Sequence, residues 1–237
     1  MVMAEILNAI REELLENSDE QTKKVSQHFF KEAISCYGIK SAMVGKISKA
    51  YFKRISDLSK ADVFALCGEL WKSGVMEESI IACEWSYYIH KKYEKDDLKV
   101  FENWIDHYIT NWATCDTLCN HTVGEFLEMY PEYINELKMW ALSTNRWKRR
   151  AAAVSLIIPA RHGLFLTDIL EIATLLLTDA DDMVQKGYGW MLKVASQKHE
   201  QQVFDFVYAN KAIMPRTALR YAIEKMAPAL KIEAMSK

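Results

Sequence analysis

Met76, Trp112, Trp147 and Met183 stand 36, 35 and 36 residues apart, and each opens a stretch whose apolar residues recur at the spacing of an amphipathic helix. Helix starts repeated at a near-constant interval point to stacked helical pairs, in which each pair buries the apolar face of its neighbour. Leu70-Trp71, Met139-Trp140 and Leu176-Leu177 end the first helix of such pairs; a short polar turn follows, and then the second helix. The chain has only 8 glycines and 4 prolines. Almost no segment alternates with a period of two, so the glycine-bearing turns and half-buried strands of a β-rich fold are not in the pattern.

The expectation is an all-α fold, a right-handed α-solenoid of HEAT-like helical repeats running through residues 1–237 as a single domain, with the second helices lining a concave face. Helices are expected near residues 3–16, 19–36, 41–54, 60–73, 76–92, 97–109, 112–129, 131–142, 146–160, 164–177, 181–197, 200–209 and 215–227. Several of the starts have a local cause. Asp19 and Ser59 can accept hydrogen bonds from orphan amides, Pro131 and Pro215 suit a first turn, and Asp181-Asp182 places negative charge at the positive end of a helix dipole. Gly38, Gly74 and Gly163 sit where helices are expected to stop.

No apolar run is long enough to span a membrane. The first residues mix Glu5, Arg11, Glu12 and Glu13 with apolar positions, as an amphipathic helix does and a secretory signal does not, so a cytoplasmic protein is expected. Five cysteines, an odd number scattered through helical patterns, read as buried reduced thiols. Cys115 and Cys119, with His107 and His121 nearby, lack the tight turn spacing of a structural zinc site, and no metal or other cofactor is expected. Charge is segregated: residues 1–137 hold 15 Lys and Arg against 23 Asp and Glu, and residues 138–237 hold 15 against 9. A basic C-terminal half can face a polyanion although the net charge of the whole chain is −2.

Three polar clusters stand out against this scaffold. Trp112 and Asp116 lie four residues apart and project from one helix face, with the carboxylate too far inside the helix to cap it. Arg146-Trp147-Lys148-Arg149-Arg150 puts cations at a helix N-terminus, where the dipole disfavours them, which suggests an anionic partner such as phosphate. In Lys186-Gly187-Tyr188-Gly189-Trp190 two glycines interrupt a helix interior at a cost of roughly 1 kcal/mol each, as close approach of a helix or ligand would require. Trp71, Trp85, Trp104 and Trp140 fall at apolar positions that packing alone explains.

Trp112-x3-Asp116, Asn145-Arg-Trp147-Lys-Arg-Arg150-Ala-Ala and Gln185-Lys186-x-x-Gly189-Trp190, with Tyr37-Gly38-Ile39-Lys40 near the N-terminus, resemble the HEAT-like AlkD family of DNA alkylation repair glycosylases over about residues 20–227. Ser41-Ala42 departs from the family pattern, which often has proline after the Tyr-Gly turn. The resemblance implies a solenoid cradling duplex DNA and hydrolysis of the N-glycosidic bond of cationic lesions, N3-methyladenine and N7-methylguanine, leaving an abasic site. It makes Asp116 the catalytic carboxylate, Trp112 and Trp190 the aromatics flanking the lesion's sugar, and Arg150 a phosphate contact. Lys148, Arg149, Lys186 and Arg216 are expected to join it on the DNA, with Arg161, Lys193 and Arg220 as further candidates chosen for position and charge. The expected protein is a cofactor-free monomer acting on double-stranded DNA that contains alkylated bases. The alternatives are a non-catalytic HEAT-like module that binds branched or damaged DNA and a scaffold for protein partners.

Overall fold

A computed structural model of the chain describes residues 2–236, and among these every regular element is helical; the only β-type pairing is an isolated bridge between Ser35 and Val75. The chain divides into two compact units, Met1–Leu118 and Cys119–Lys237.

The first unit runs α1 (Val2–Glu16), α2 (Glu20–Phe29), α3 (Ser41–Ile55), α4 (Lys60–Lys72), α5 (Met76–Tyr88), α6 (Asp97–His107) and α7 (Trp112–Thr117). Its helices start where side chains satisfy amides that no helical carbonyl can reach. Asp19 accepts from the Thr22 amide at 2.7 Å, Ser59 from Asp62 at 3.1 Å and Asn111 from Thr114 at 3.0 Å. The helix α5 packs against α3, α4 and α7, and α1 lies on α3 and α4. Trp71, Trp85 and Trp104 are core residues as expected, and the Trp85 indole donates to the Ser48 carbonyl at 3.0 Å.

The expected helix over residues 19–36 stops at Phe29, and Gly38 does not end it. Two backbone contacts take the chain away. The Met76 amide donates to the Ser35 carbonyl at 2.9 Å, and the buried Glu77 carboxylate accepts from the amides of Tyr37 (3.0 Å), Gly38 (2.9 Å) and Ile39 (3.2 Å). Gly38 has φ +86°, and a Cβ there would lie 2.6 Å from the Asp19 carbonyl oxygen, so the loop requires glycine on two counts. Glu78, next to it, accepts from Arg11 Nε and from the Tyr37 hydroxyl, both at 3.0 Å. Burial, and then the Glu78 charge, push the Tyr37 phenol up to about 12, so it remains a donor.

The second unit contains α8 (Gly124–Met129), α9 (Ile134–Trp140), α10 (Arg146–Val154), α11 (Ile157–Arg161), α12 (Leu166–Leu175), α13 (Asp182–Ala195), α14 (Glu200–Asn210), α15 (Arg216–Ala222) and α16 (Pro228–Met235). At its centre α13 packs against α10, α11, α12 and α15. The single helix expected over 146–160 is two, α10 and α11. Pro159 has no amide to continue an unbroken ladder and its ring would crowd the carbonyl of Ser155. The helix expected over 112–129 is α-helical only at its ends, with Leu118–Val123 in π-helical geometry. Beyond residue 227, where the expected helices end, Pro228 opens α16, a first-turn proline signal that the apolar pattern did not flag.

The two glycines of α13 have separate causes. A Cβ on Gly189 would lie 2.7 Å from Tyr221 Cβ and 2.8 Å from the Ala218 carbonyl oxygen, so Gly189 lets α13 and α15 approach backbone to backbone. A Cβ on Gly187 would meet the Arg150 side chain at 3.3 Å, so that glycine makes room for the arginine. Gly189→Ala is therefore expected to lose about 1–3 kcal/mol despite alanine's better helix propensity, and Gly187→Ala distinctly less, because a side chain can yield where a backbone cannot. Urea unfolding of the two variants checks this; equal midpoints would refute the close approach of α13 and α15.

Candidate active site

In the first unit, Asn111 sets the start of α7 and thereby the positions of Trp112 and Asp116. Its backbone is extended (φ −147°, ψ 162°) and its side chain holds the Thr114 amide, which places Trp112 as the first helical residue and Asp116 one turn further on. Buried Thr114 and Cys115 turn inward between them. Trp112 and Asp116 are both partly exposed, so neither residue belongs to the buried core.

Trp112 does not stand alone. Its ring is stacked on Phe30, with centroids 5.3 Å apart and planes 22° from parallel, and meets the edge of Phe29 at 5.8 Å. Phe29 and Phe30 are themselves edge-to-face at 5.6 Å. Phe29 is 70% exposed, which leaves an aromatic surface open beside the helix that carries the carboxylate. The sequence reading missed both phenylalanines. They end α2, some eighty residues before Trp112, and the only sequence signal was the adjacent aromatic pair itself; in the structure no residue of α2 is buried.

In the second unit, the basic cluster of α10 lies beside acids of the segment that leads into α13. Arg149 Nε donates to Asp179 at 2.6 Å, Nη2 to the same carboxylate at 3.3 Å, and Nη1 to the carbonyls of Ser143 and Thr144 at 3.0 and 3.1 Å. Arg146 pairs with Asp181 at 2.8 Å and lies over the Trp147 ring, 4.7 Å from its centroid. Asp181 in turn caps α13 through the amides of Met183 and Val184. Two of the cations that offended the α10 dipole, Arg146 and Arg149, thus have anionic partners inside the chain. Arg149, expected on DNA, is held by the protein itself.

Arg150 is 5% exposed, and its Nη1 donates to the Met183 carbonyl while its stem crosses Gly187. Lys148 is partly exposed, its ammonium 6.0 Å from the Trp140 ring centroid. Lys186 is paired with Asp182 at 2.9 Å, Arg216 is exposed at the start of α15, and Trp190 is partly exposed on α13. Trp147 is buried. All five cysteines are buried and none is in a disulfide, and among the described residues no group of three or more His, Cys, Asp or Glu side chains is placed to hold a metal ion. No helix among them is long and apolar enough to cross a membrane.

The first unit thus sets a partly exposed carboxylate beside an aromatic surface, and the second carries an arginine-rich helix start. The family model described as DNA alkylation repair enzyme matches residues 10–226, and the chain belongs to the DNA alkylation repair enzyme family. Among solved structures it is similar to the "predicted DNA alkylation repair enzyme from Enterococcus faecalis", with a TM-score of 0.80 over 90% of this chain and 98% of that one at 14% identity. That likeness speaks for the fold. No curated protein gives a significant match.

Proposed function

We propose that the protein is a monofunctional DNA glycosylase that hydrolyses the N-glycosidic bond of cationic alkylated purines, N3-methyladenine and N7-methylguanine, in duplex DNA. The observation that carries this reading is the partly exposed Asp116 carboxylate one helical turn from Trp112, whose ring extends through Phe30 and Phe29 into an open aromatic surface. An alkylated purine already carries positive charge and leaves as a neutral base, taking the bonding electron pair, so no general acid is needed. What lowers the barrier is stabilisation of the cation that develops on the sugar. Asp116 would face C1′, offset that charge and orient the water that adds there and releases its proton. The indole face of Trp112 would attract the same developing cation.

In this reading the helical pairs form a right-handed HEAT-like solenoid whose second helices present the DNA-binding face, and the protein works as a monomer without a cofactor. Trp190 is the second aromatic of the sugar site. Lys148, Lys186 and Arg216 contact DNA, Lys186 by exchanging Asp182 for phosphate, and Arg150, 5% exposed, joins them by exchanging the Met183 carbonyl for phosphate. Arg149 is left out, because Asp179 and two carbonyls already engage its guanidinium.

The test is incubation of the purified protein with N-methylated duplex DNA followed by chromatographic detection of free base. Release of 7-methylguanine and 3-methyladenine well above the spontaneous rate is expected. No release, together with tight binding to a four-way junction, would replace the enzyme by a DNA-binding module.

A further inference from the structure

The first unit is acidic, yet residues 40–56 hold five basic residues (Lys40, Lys46, Lys49, Lys53 and Arg54) and no Asp or Glu. This run forms α3, whose buried residues Val44, Ile47, Ser48, Tyr51 and Ile55 face the protein. Lys46, Lys49 and Lys53 are all exposed. At about 100° per residue they fall within an arc of about 60°, a single stripe on the outer side of the helix.

Several other cations of this unit are ion-paired, whereas the stripe, like Lys91 and Lys92, is exposed and in no ion pair among the described residues. Lys60 is paired with Asp97 and Glu94, Lys72 with Glu69, Lys99 with Asp96 and Arg11 with Glu78. The side chains of Lys46, Lys49 and Lys53 make no ion pair or hydrogen bond among the described residues. Three like charges on neighbouring turns repel one another. A solvated surface helix normally intersperses acids, as α4 and α6 do, so the arrangement suits a partner that brings its own regular array of negative charge.

We propose that Lys46, Lys49 and Lys53 form a second contact to duplex DNA, gripping consecutive phosphates of one strand away from the lesion. From Lys46 to Lys53 α3 rises about 10.5 Å, against about 6.8 Å of axial rise for three consecutive phosphates of one strand, a difference that flexible lysine stems span. Within the unit α3 packs on α5 and α5 on α7, so the stripe lies about two helix spacings, roughly 16–20 Å, from the helix of Asp116. That separation corresponds to about five base pairs. The contact rests on the DNA reading above, but it concerns binding and not bond cleavage, so the two can fail separately.

The experiment compares wild type with the triple variant K46Q/K49Q/K53Q, its arginine counterpart K46R/K49R/K53R, and the control K91Q/K92Q, which removes two exposed lysines elsewhere in the unit. Binding to an unmodified 20-base-pair duplex is measured from 50 to 300 mM salt. The glutamine triple is expected to lower the slope of log K against log salt by about 2.7 and to weaken binding roughly tenfold or more at 0.1 M salt. The arginine triple should keep the slope, and the control should change it little. Unchanged slopes, or the same change per charge removed in the control, would overturn the contact. A stripe that fails to affect DNA binding but drives binding to phosphatidylserine vesicles would also overturn it, in favour of a membrane surface. If wild type releases no base yet the triple still flattens the slope, the glycosylase reading fails and the stripe stands.

Discussion

Asp116→Asn is expected to lower the single-turnover rate of 7-methylguanine release by at least about 10²-fold, the size of effect typical when one preorganised charge is removed from a developing ion. Asparagine keeps the shape of the side chain and removes the negative charge, so the developing sugar cation loses its counter-charge while the helix does not. Asp116 is partly exposed and lies past the α7 cap, so the variant should melt within a few degrees of wild type. Duplex affinity should be unchanged or slightly higher, because removal of a carboxylate near phosphates relieves repulsion. This combination of lost rate, kept fold and kept affinity separates a catalytic carboxylate from a structural one. Excision at the wild-type rate would remove Asp116 from the mechanism, and loss of rate together with loss of fold would recast it as a packing residue. Trp112→Ala should act differently. It also unstacks Phe30, so a smaller loss of rate, accompanied by looser packing at the end of α2, is the expected pattern.

The features legible in the sequence were those with local causes. Caps at Asp19, Ser59 and Asp181 lie within three residues of the amides they hold, and the apolar period reports which face of a helix is buried, so helix starts and core tryptophans could be read directly. The place of Asp116 relative to Trp112 was legible for the same reason, since one helix turn fixes it. What escaped were contacts whose partner lies about one helical pair further along. Arg149 meets Asp179, 30 residues on, and Arg146 meets Asp181, 35 residues on. The same near-repeat spacing links Tyr37 to Glu77 and Lys60 to Asp97. An odd cation at one helix start is therefore better compared first with the acids one repeat ahead than with an outside ligand. The repeat of about 36 residues held that information, although it could not say which acid turns toward which arginine. The end of α2 was illegible for a further reason. Its apolar pattern continues past Phe29, and the bond of the Met76 amide to the Ser35 carbonyl, with the claim of Glu77 on the amides of residues 37–39, diverts the backbone.

Glu77→Ala is expected to be the most destabilising single substitution among those considered for the first unit. The carboxylate is 2% exposed and sits in the first turn of α5, where the helix dipole favours it, and it accepts from three consecutive backbone amides. Alanine leaves those donors, held in a loop built around them, without an acceptor. At about 1–3 kcal/mol for each buried donor left unsatisfied, and with partial recovery by water, a loss of about 3–5 kcal/mol follows. For a chain of this size that is a fall of roughly 10 °C in the thermal midpoint. Glu77→Gln should cost less, because one oxygen can still serve the Gly38 and Ile39 amides while its amide group opposes the Tyr37 donor. Native-state hydrogen exchange distinguishes this account from general weakening. The amides of Tyr37, Gly38 and Ile39 should lose protection in the glutamine variant while those of α5 and α6 keep theirs, and uniform loss across the unit would show that Glu77 serves the core and not the loop. The loop joins α2 to α3, so its loosening should also release Phe29 and Phe30 from Trp112. The glutamine variant is accordingly expected to lose part of its base-release rate with Asp116 untouched, because the aromatic surface beside the carboxylate depends on a buried acid in the next helical pair.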